Sequence, residues 1–374
     1  MWISELRYMD PRTSTYLGSP SLVRLDDGTI VASHDYFGKG APKNLQGFPS
    51  LSSIYRSVDD GLTWNNIRHI SGTWWSTLFL LDGVLYLIGT SSQKGSIVIR
   101  RSEDGGYTWT HPVDGRSGLL FNAGVGAEPP NYHCAPVPVY EHNGRIYRAF
   151  EDDTLVRHGR DFSTLVVSAP VNCDLLNADN WTMSNKLAHD HDLQPQYGEK
   201  ATWIEGNVLA DPDGQLWNVL RFNGGEINRV AFVKITDDGA TQSFDYETGI
   251  REMPGGATKF TIRRDGESGL YWSLVNHQQH PPEQYNRNRL TLVSSPDLVT
   301  WTHRKILLDD NLEGDRERSI KYTGFQYVDW IFDPANDGTI LYLSRTAYDG
   351  AHNFHDSNRI TFSRIRDFRM LVTE

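Results

Sequence analysis

The sequence predicts an all-β fold: a single β-propeller of four-stranded antiparallel blades over residues 1–374, counted as six blades with a seventh from the two termini left open. Two repeats and one absence support this. A short turn motif recurs, a hairpin unit recurs six times, and no Pro/Ser-rich linker, charge block or low-complexity tract divides the chain. Aromatic residues run from Trp2 to Phe368, as a single extended core requires.

The turn motif reads Ser57-Val58-Asp59-Asp60-Gly61-Leu62-Thr63-Trp64, then Ser102-Glu103-Asp104-Gly105-Gly106-Tyr107-Thr108-Trp109, and more weakly Ser295-Pro296-Asp297-Leu298-Val299-Thr300-Trp301. Each has the form of an Asp box. Asp and Gly make a tight turn, the carboxylate caps backbone N–H groups, and the Trp packs into the blade. This role is structural, at the outer hairpin and away from the ligand face.

Between these turns lie alternating apolar strands joined by Asp-Gly or Asn-Gly turns. In order they are Ser21–Leu25 into Ile30–Ala32, Leu78–Leu81 into Val84–Leu87, and Val137–Tyr140 into Ile146-Tyr147. The remainder are Val208–Ala210 into Leu216–Val219, Phe260–Ile262 into Leu270–Trp272, and Trp330–Phe332 into Ile340–Tyr342. Outer strands such as Ser96–Arg100 and Arg289–Val293 complete the blades, and radial closure protects their edges.

The net charge of -11 and pI near 5.6 argue against a nucleic-acid partner, which needs a clustered basic surface. Cys134 and Cys173 are too few for a disulfide framework. The segment Met1–Arg7 lacks the pattern of a signal peptide, and no apolar run is long enough for a bilayer, so no membrane partner is expected.

Propeller geometry gathers the ends of second strands and the starts of first strands at one mouth of the channel. The second-strand ends supply His34, Arg148, Arg221, Asn276, His277, Arg345 and Tyr348; the first-strand openings supply Trp75, Tyr132, His133, Trp203, Glu205, Asn207, Tyr322 and Gln326. Forked guanidinium groups suit a carboxylate, and flat aromatics suit a sugar face. These residues differ from blade to blade, which favours one asymmetric site over a lectin-like site repeated in each blade.

The Asp boxes resemble those of the sialidase superfamily. Gly18-Ser19-Pro20 stands where sialidases carry an Arg-Ile-Pro strand, and the missing arginine argues against ordinary sialidase activity. The runs Ala32–Gly38, Asn131–Pro138 and Gly144–Glu151 are similar to propeller enzymes acting on rhamnose linked to glucuronate, namely ulvan lyases, rhamnosyl-glucuronate lyases and a related α-L-rhamnosidase family. Those relatives usually have seven blades. The resemblance implies an extracellular or periplasmic enzyme acting on an anionic oligo- or polysaccharide.

A polysaccharide lyase needs a base for the proton at C5 of the uronate, a cation on its carboxylate and an acid for the leaving oxygen. His34 or His133 is the candidate base, Tyr132 the acid, and Arg148 and Arg221 the carboxylate holders. Trp75, Trp203, Glu205, Asn207, Asn276, His277, Tyr322, Gln326, Arg345 and Tyr348 are the candidate substrate contacts. The runner-up is a glycoside hydrolase releasing rhamnose from glucuronate, or a sialidase-like one, drawing on Asp35, Glu151, Asp152 and Glu205. The third reading is a carbohydrate-binding propeller without catalysis. No cofactor is called for: His189-Asp190-His191-Asp192 and His352-Asn353-Phe354-His355 read as polar loops, and the structural metal of some resembling lyases is not assigned.

Overall fold

A computed structural model describes residues 2–153, 162–199, 201–225, 228–277, 285–310 and 315–372. Its strands form six antiparallel sheets arranged as a six-bladed propeller. Blade 1 is built on Ser21–Arg24, Ile30–Phe37, Leu51–Ser57 and Asn65–Ser71, with Tyr16–Leu17 added to its inner edge. Blade 2 contains Trp74–Leu81, Val84–Thr90, Ile97–Ser102 and Leu119–Phe121. Blade 3 centres on Arg145–Asp152 and Ser163–Pro170, blade 4 on Thr202–Ala210, Leu216–Asn223 and Arg229–Thr236, and blade 5 on Tyr271–Val275 and Arg289–Ser295.

Blade 6 joins the two ends of the chain. Gly324–Phe332, Ile340–Ala347 and Arg359–Ile365 come from the C-terminal part, and Ser4–Tyr8 pairs with Arg359–Ile365 as the outermost strand. The termini therefore complete the sixth blade. No helix among the described residues is long and apolar enough to cross a membrane.

The alternating pattern of the strands gives each blade two apolar faces, and the buried clusters lie between neighbouring blades. Val31 and Ile54 of blade 1 pack with Leu78 and Leu87 of blade 2, and Val208 and Ile235 of blade 4 pack with Tyr147 and Val166 of blade 3. Blades 6 and 1 meet through Leu6, Leu343 and Phe362 against Ile30 and Tyr55.

The innermost strands are of two kinds. In blades 2, 4 and 6 the register slips once, between Trp74 and Thr77, Ile204 and Asn207, and Gln326 and Asp329. Each slip contains one residue in the left-handed region: Trp75 at φ 49°, Glu205 at 62° and Tyr327 at 49°. Such a bulge turns a strand and re-aims one side chain. The polar residue that closes each bulge then bonds the next blade. Thr77 Oγ1 donates to Val137 O at 3.0 Å, Asn207 Oδ1 accepts from Ile262 N at 3.1 Å, and Asp329 Oδ2 accepts from Leu22 N at 3.1 Å.

The repeated turns lie between third and fourth strands. In the first, Asp59 Oδ1 accepts from Thr63 N at 2.9 Å and Ser57 Oγ accepts from Gly61 N at 2.8 Å. The same bonds recur at Asp104 with Thr108 and at Ser102 with Gly106. The first turn also locks the closure. Trp64 Nε1 donates to Ser4 Oγ at 3.0 Å, and Ser4 Oγ donates to Gly61 O.

Gly61 has φ +78°, and a Cβ there would lie 2.1 Å from the Phe362 ring. Gly61→Ala therefore loads both a strained backbone and the joint between blades 1 and 6. The expected cost is about 1–3 kcal/mol. It is read as a lower denaturation midpoint with an unchanged slope.

Candidate functional site

A cleft of about 630 Å³ opens where the sequence places the mouth. Its lining includes Gly18, Ser19, Asp35 and Phe37 of blade 1, Trp74 and Trp75 of blade 2, His133 of blade 3, Glu205 of blade 4, and Tyr327 and Arg345 of blade 6. The long connection after Phe37 adds Lys39, Lys43 and Phe48. All three left-handed bulge residues are in this lining.

Trp75, Glu205 and Tyr327 arrive there by the same device, and a neighbouring blade supports each bulge. Asp35 Oδ2 accepts from Trp75 N at 2.8 Å, and Glu151 Oε1 accepts from Glu205 N at 2.7 Å. Beside Tyr327, the ammonium of Lys259 donates to Val328 O at 2.7 Å and to Thr261 Oγ1 at 2.8 Å. Burial pushes that ammonium down to about 8, against the pull of Asp329 and Glu205.

Glu205 and Tyr327 form the polar centre of the site. The Tyr327 hydroxyl donates to Glu205 Oε1 at 2.7 Å, while Arg221 Nη1 donates to Glu205 Oε2 at 3.0 Å. Burial opposes the charge on Glu205, but Arg221 and the phenol outweigh it and hold its carboxyl below the usual range. Tyr327 shifts the other way: burial and the Glu205 charge raise its phenol, with Arg221, Arg287 and Arg345 opposing. The guanidinium carbons of Arg345 and Arg287 stand 4.7 and 5.4 Å from the Tyr327 ring centre.

Asp35 is the second carboxyl of the site. It is buried at the cleft wall, and this burial pushes it up to about 7 even though Trp75 N, Arg345 and Ser19 N favour its charged form. Ser19 N donates to Oδ1 at 3.0 Å. A Cβ at Gly18 would lie 1.5 Å from Asp35 Oδ1. The absence of a side chain at position 18 thus gives Asp35 its room.

The structure divides the sequence candidates. Trp75, His133, Glu205 and Arg345 line the cleft, and Arg221 stands directly behind Glu205. His133 Nδ1 bonds Glu151 Oε2 at 2.7 Å. Gln326 lies behind the cleft, where it accepts from Arg287 and donates to Phe354 O.

His34 points the other way. Strand alternation sends its ring to the face opposite Asp35, where it bonds Asp35 O at 3.0 Å and Tyr55 Oη at 3.1 Å, and burial holds it down at about 4. Tyr132 is likewise buried beside His133, its phenol pushed up to about 12 by burial. Arg148 is fully buried and bonds Ala135 O at 2.7 Å, Thr77 Oγ1 at 3.2 Å and Ala149 O. These three do not line the cleft.

Trp203 packs on Phe244 and His189 inside blade 4, and Asn207 and Asn276 bond backbone between blades. His277 packs near His303, Tyr322 is exposed at the end of the short helix Arg316–Tyr322, and Tyr348 packs edge-on against Trp2. None of them lines the cleft. Trp74, which opens its strand beside Trp75, lines the cleft with it, whereas Tyr327 and Arg287 have no place among the sequence candidates. The signal for Tyr327 was Asp329, a polar residue interrupting an apolar strand as Thr77 and Asn207 do in theirs. Among the described residues, no group of three or more His, Cys, Asp or Glu is placed to hold a metal.

No protein-family model and no curated protein matches the chain. Solved structures share its fold. The α-L-arabinofuranosidase Arb93A of Fusarium graminearum, solved with an iminosugar inhibitor, has a TM-score of 0.62 at 14% identity, covering 98% of each chain. The α-L-arabinanase of Penicillium chrysogenum, complexed with arabinobiose, gives 0.55 at 16% identity over 98% of this chain and 97% of its own. A Trypanosoma rangeli sialidase gives 0.60 at 15% identity over 96% of this chain and 56% of its own. At such identities the likeness is one of fold.

The raised Asp35 makes its contribution to stability depend on pH. Its folded value lies above the unfolded one, so the stabilisation is fully present below the unfolded value and is lost as pH rises through about 7. Wild-type stability relative to Asp35→Asn is therefore expected to decline from about pH 4 to about pH 7 and then level off. Thermal unfolding of both proteins across that range checks it.

Proposed function

We propose that this protein is a glycoside hydrolase acting on a glycan that carries an acidic group, with Asp35 as general acid and Glu205 as nucleophile. The observation that carries the reading is the pair of buried carboxyls in one cleft pushed in opposite directions, Asp35 up to about 7 and Glu205 down. Two carboxyl groups in contrasting environments are what acid-assisted glycoside cleavage requires. The fold relatives named as arabinofuranosidase, arabinanase and sialidase support a hydrolytic reading of this carbohydrate-sized cleft.

In the first step the Glu205 carboxylate attacks the anomeric carbon while the Asp35 O–H protonates the glycosidic oxygen. The C–O bond to the leaving group breaks and a glycosyl ester forms. In the second step ionised Asp35 takes a proton from water, the water oxygen attacks the same carbon, and Glu205 is released. The Tyr327 hydroxyl steadies the Glu205 charge before attack and after release. Tyr327 itself is the weaker candidate nucleophile, because its phenol is raised whereas Glu205 is held ionised.

Arg345 supports the acidic substrate. Its Nε and Nη2 are held by Ser357 Oγ at 3.2 Å and His355 O at 2.6 Å, which leaves Nη1 for a ligand in the cleft, with Lys39 and Lys43 at the rim. Elimination has less support. His34 is enclosed away from the cleft, and His133 has Nδ1 engaged by Glu151.

The test follows products on uronate- and sialate-containing oligosaccharides, with arabinobiose as a neutral control. New reducing ends are expected without the ultraviolet absorbance of a 4,5-unsaturated uronate. Asp35→Asn should slow cleavage by about 10²–10⁴-fold. Wild-type kcat/KM should fall as pH rises through about 7, where Asp35 loses its proton, and that limb should be absent in the variant. An unsaturated product, or full activity in Asp35→Asn, overturns the assignment.

A further inference from the structure

We infer that Trp75 forms the platform of a subsite for the leaving-group sugar, so that the natural substrate is a glycan in which the scissile bond joins two sugar rings. This rests on the assignment of Asp35 as the general acid. It goes further by saying which side of the bond the cleft grips, and with what.

An acid that protonates the glycosidic oxygen stands beside the departing group, because that oxygen leaves with it. Asp35 is bound to the backbone N–H of Trp75 at 2.8 Å. Whatever occupies the cleft over Trp75 therefore lies next to the oxygen that Asp35 protonates. The nucleophile comes from other blades, with Glu205 on blade 4 and its hydrogen-bond donor Tyr327 on blade 6. The chemistry thus fixes the polarity of the cleft, with the attacked sugar towards Glu205 and the leaving group towards Trp75.

Trp75 packs against the core at blades 2 and 3 and also lines the cleft. It takes the same left-handed bulge position as Glu205 and Tyr327, at φ 49°, an unusual conformation for a bulky side chain. Trp74 supports its ring at 3.9 Å between centres, and His133 stands at 4.2 Å. Trp74 is buried whereas Trp75 stays partly exposed at the cleft wall. An indole carried on a second indole is a rigid apolar surface for the C–H face of a pyranose. With His133 Nδ1 engaged by Glu151, its Nε2 can meet a hydroxyl of the same ring.

The experiment compares a cleaved oligosaccharide with the glycosyl fluoride of its attacked sugar, which has no leaving-group ring. In Trp75→Ala the ratio of kcat/KM for oligosaccharide over fluoride is expected to fall at least tenfold, and Trp75→Tyr to recover much of it. A drop of equal size on both substrates, or none on either, overturns the subsite. Thermal unfolding controls for loss of the bulge. Calorimetric titration of Asp35→Asn with the same oligosaccharide reads the platform without turnover. About tenfold weaker binding in Asp35→Asn/Trp75→Ala supports the subsite, and unchanged or undetectable binding to the parent overturns it. A wild-type protein that binds but cleaves nothing removes the hydrolase assignment and leaves the binding comparison decisive.

Discussion

Everything at the mouth of this propeller depends on holding three residues of alternate blades in the left-handed conformation. A regular inner strand would send Trp75, Glu205 and Tyr327 in directions set by strict alternation. The bulge breaks that alternation, and a strained backbone persists only when its surroundings over-determine it. Here the surroundings are side chains from elsewhere in the ring: Asp35 on Trp75 N, Glu151 on Glu205 N, and Lys259 on the carbonyl of Val328. The site is therefore a property of the closed ring, since no blade contains both a bulge and its support.

This arrangement gives two carboxyls one structural task and different chemical prospects. Asp35 and Glu151 both end a second strand, and both accept the N–H of a left-handed residue on the next blade. Glu151 spends its other oxygen on His133, and its side chain is buried. Asp35 has Ser19 N on its other oxygen and lines the cleft. A position first needed to brace the fold is also placed to exchange a proton with a ligand.

How much was legible in the sequence follows from the same geometry. The hairpins and their Gly turns follow a period of two, which is visible in a single chain, and the six hairpin units reappear as six blades. Strand ends map to one face of a propeller, and a cleft opens there that is lined by some of the sequence candidates, Trp75, His133, Glu205 and Arg345 among them. Tyr327 escapes by a single step from Gln326, whereas at two other pairs both members are candidates and the structure chooses between them, Asp35 over His34 and His133 over Tyr132. In each case neighbours on a strand face opposite ways, and which one faces the cleft depends on register and bulges that only the assembled sheets fix. Arg287 follows the segment 278–284, which lies outside the described residues, and no strand pattern pointed to it. Arg148 shows the converse. A buried arginine whose Nη atoms bond carbonyls and a hydroxyl of adjoining segments reads in sequence like one that holds a ligand.

The close approach of Asp35 to Gly18 makes the placement of a buried carboxyl depend on the absence of a side chain elsewhere in the chain. Any side chain at position 18 would occupy the space that the carboxylate now fills. The two positions are thus coupled: a side chain at 18 and Asp35 in its present pose exclude one another, so a larger residue at 18 would displace the carboxyl from the cleft wall.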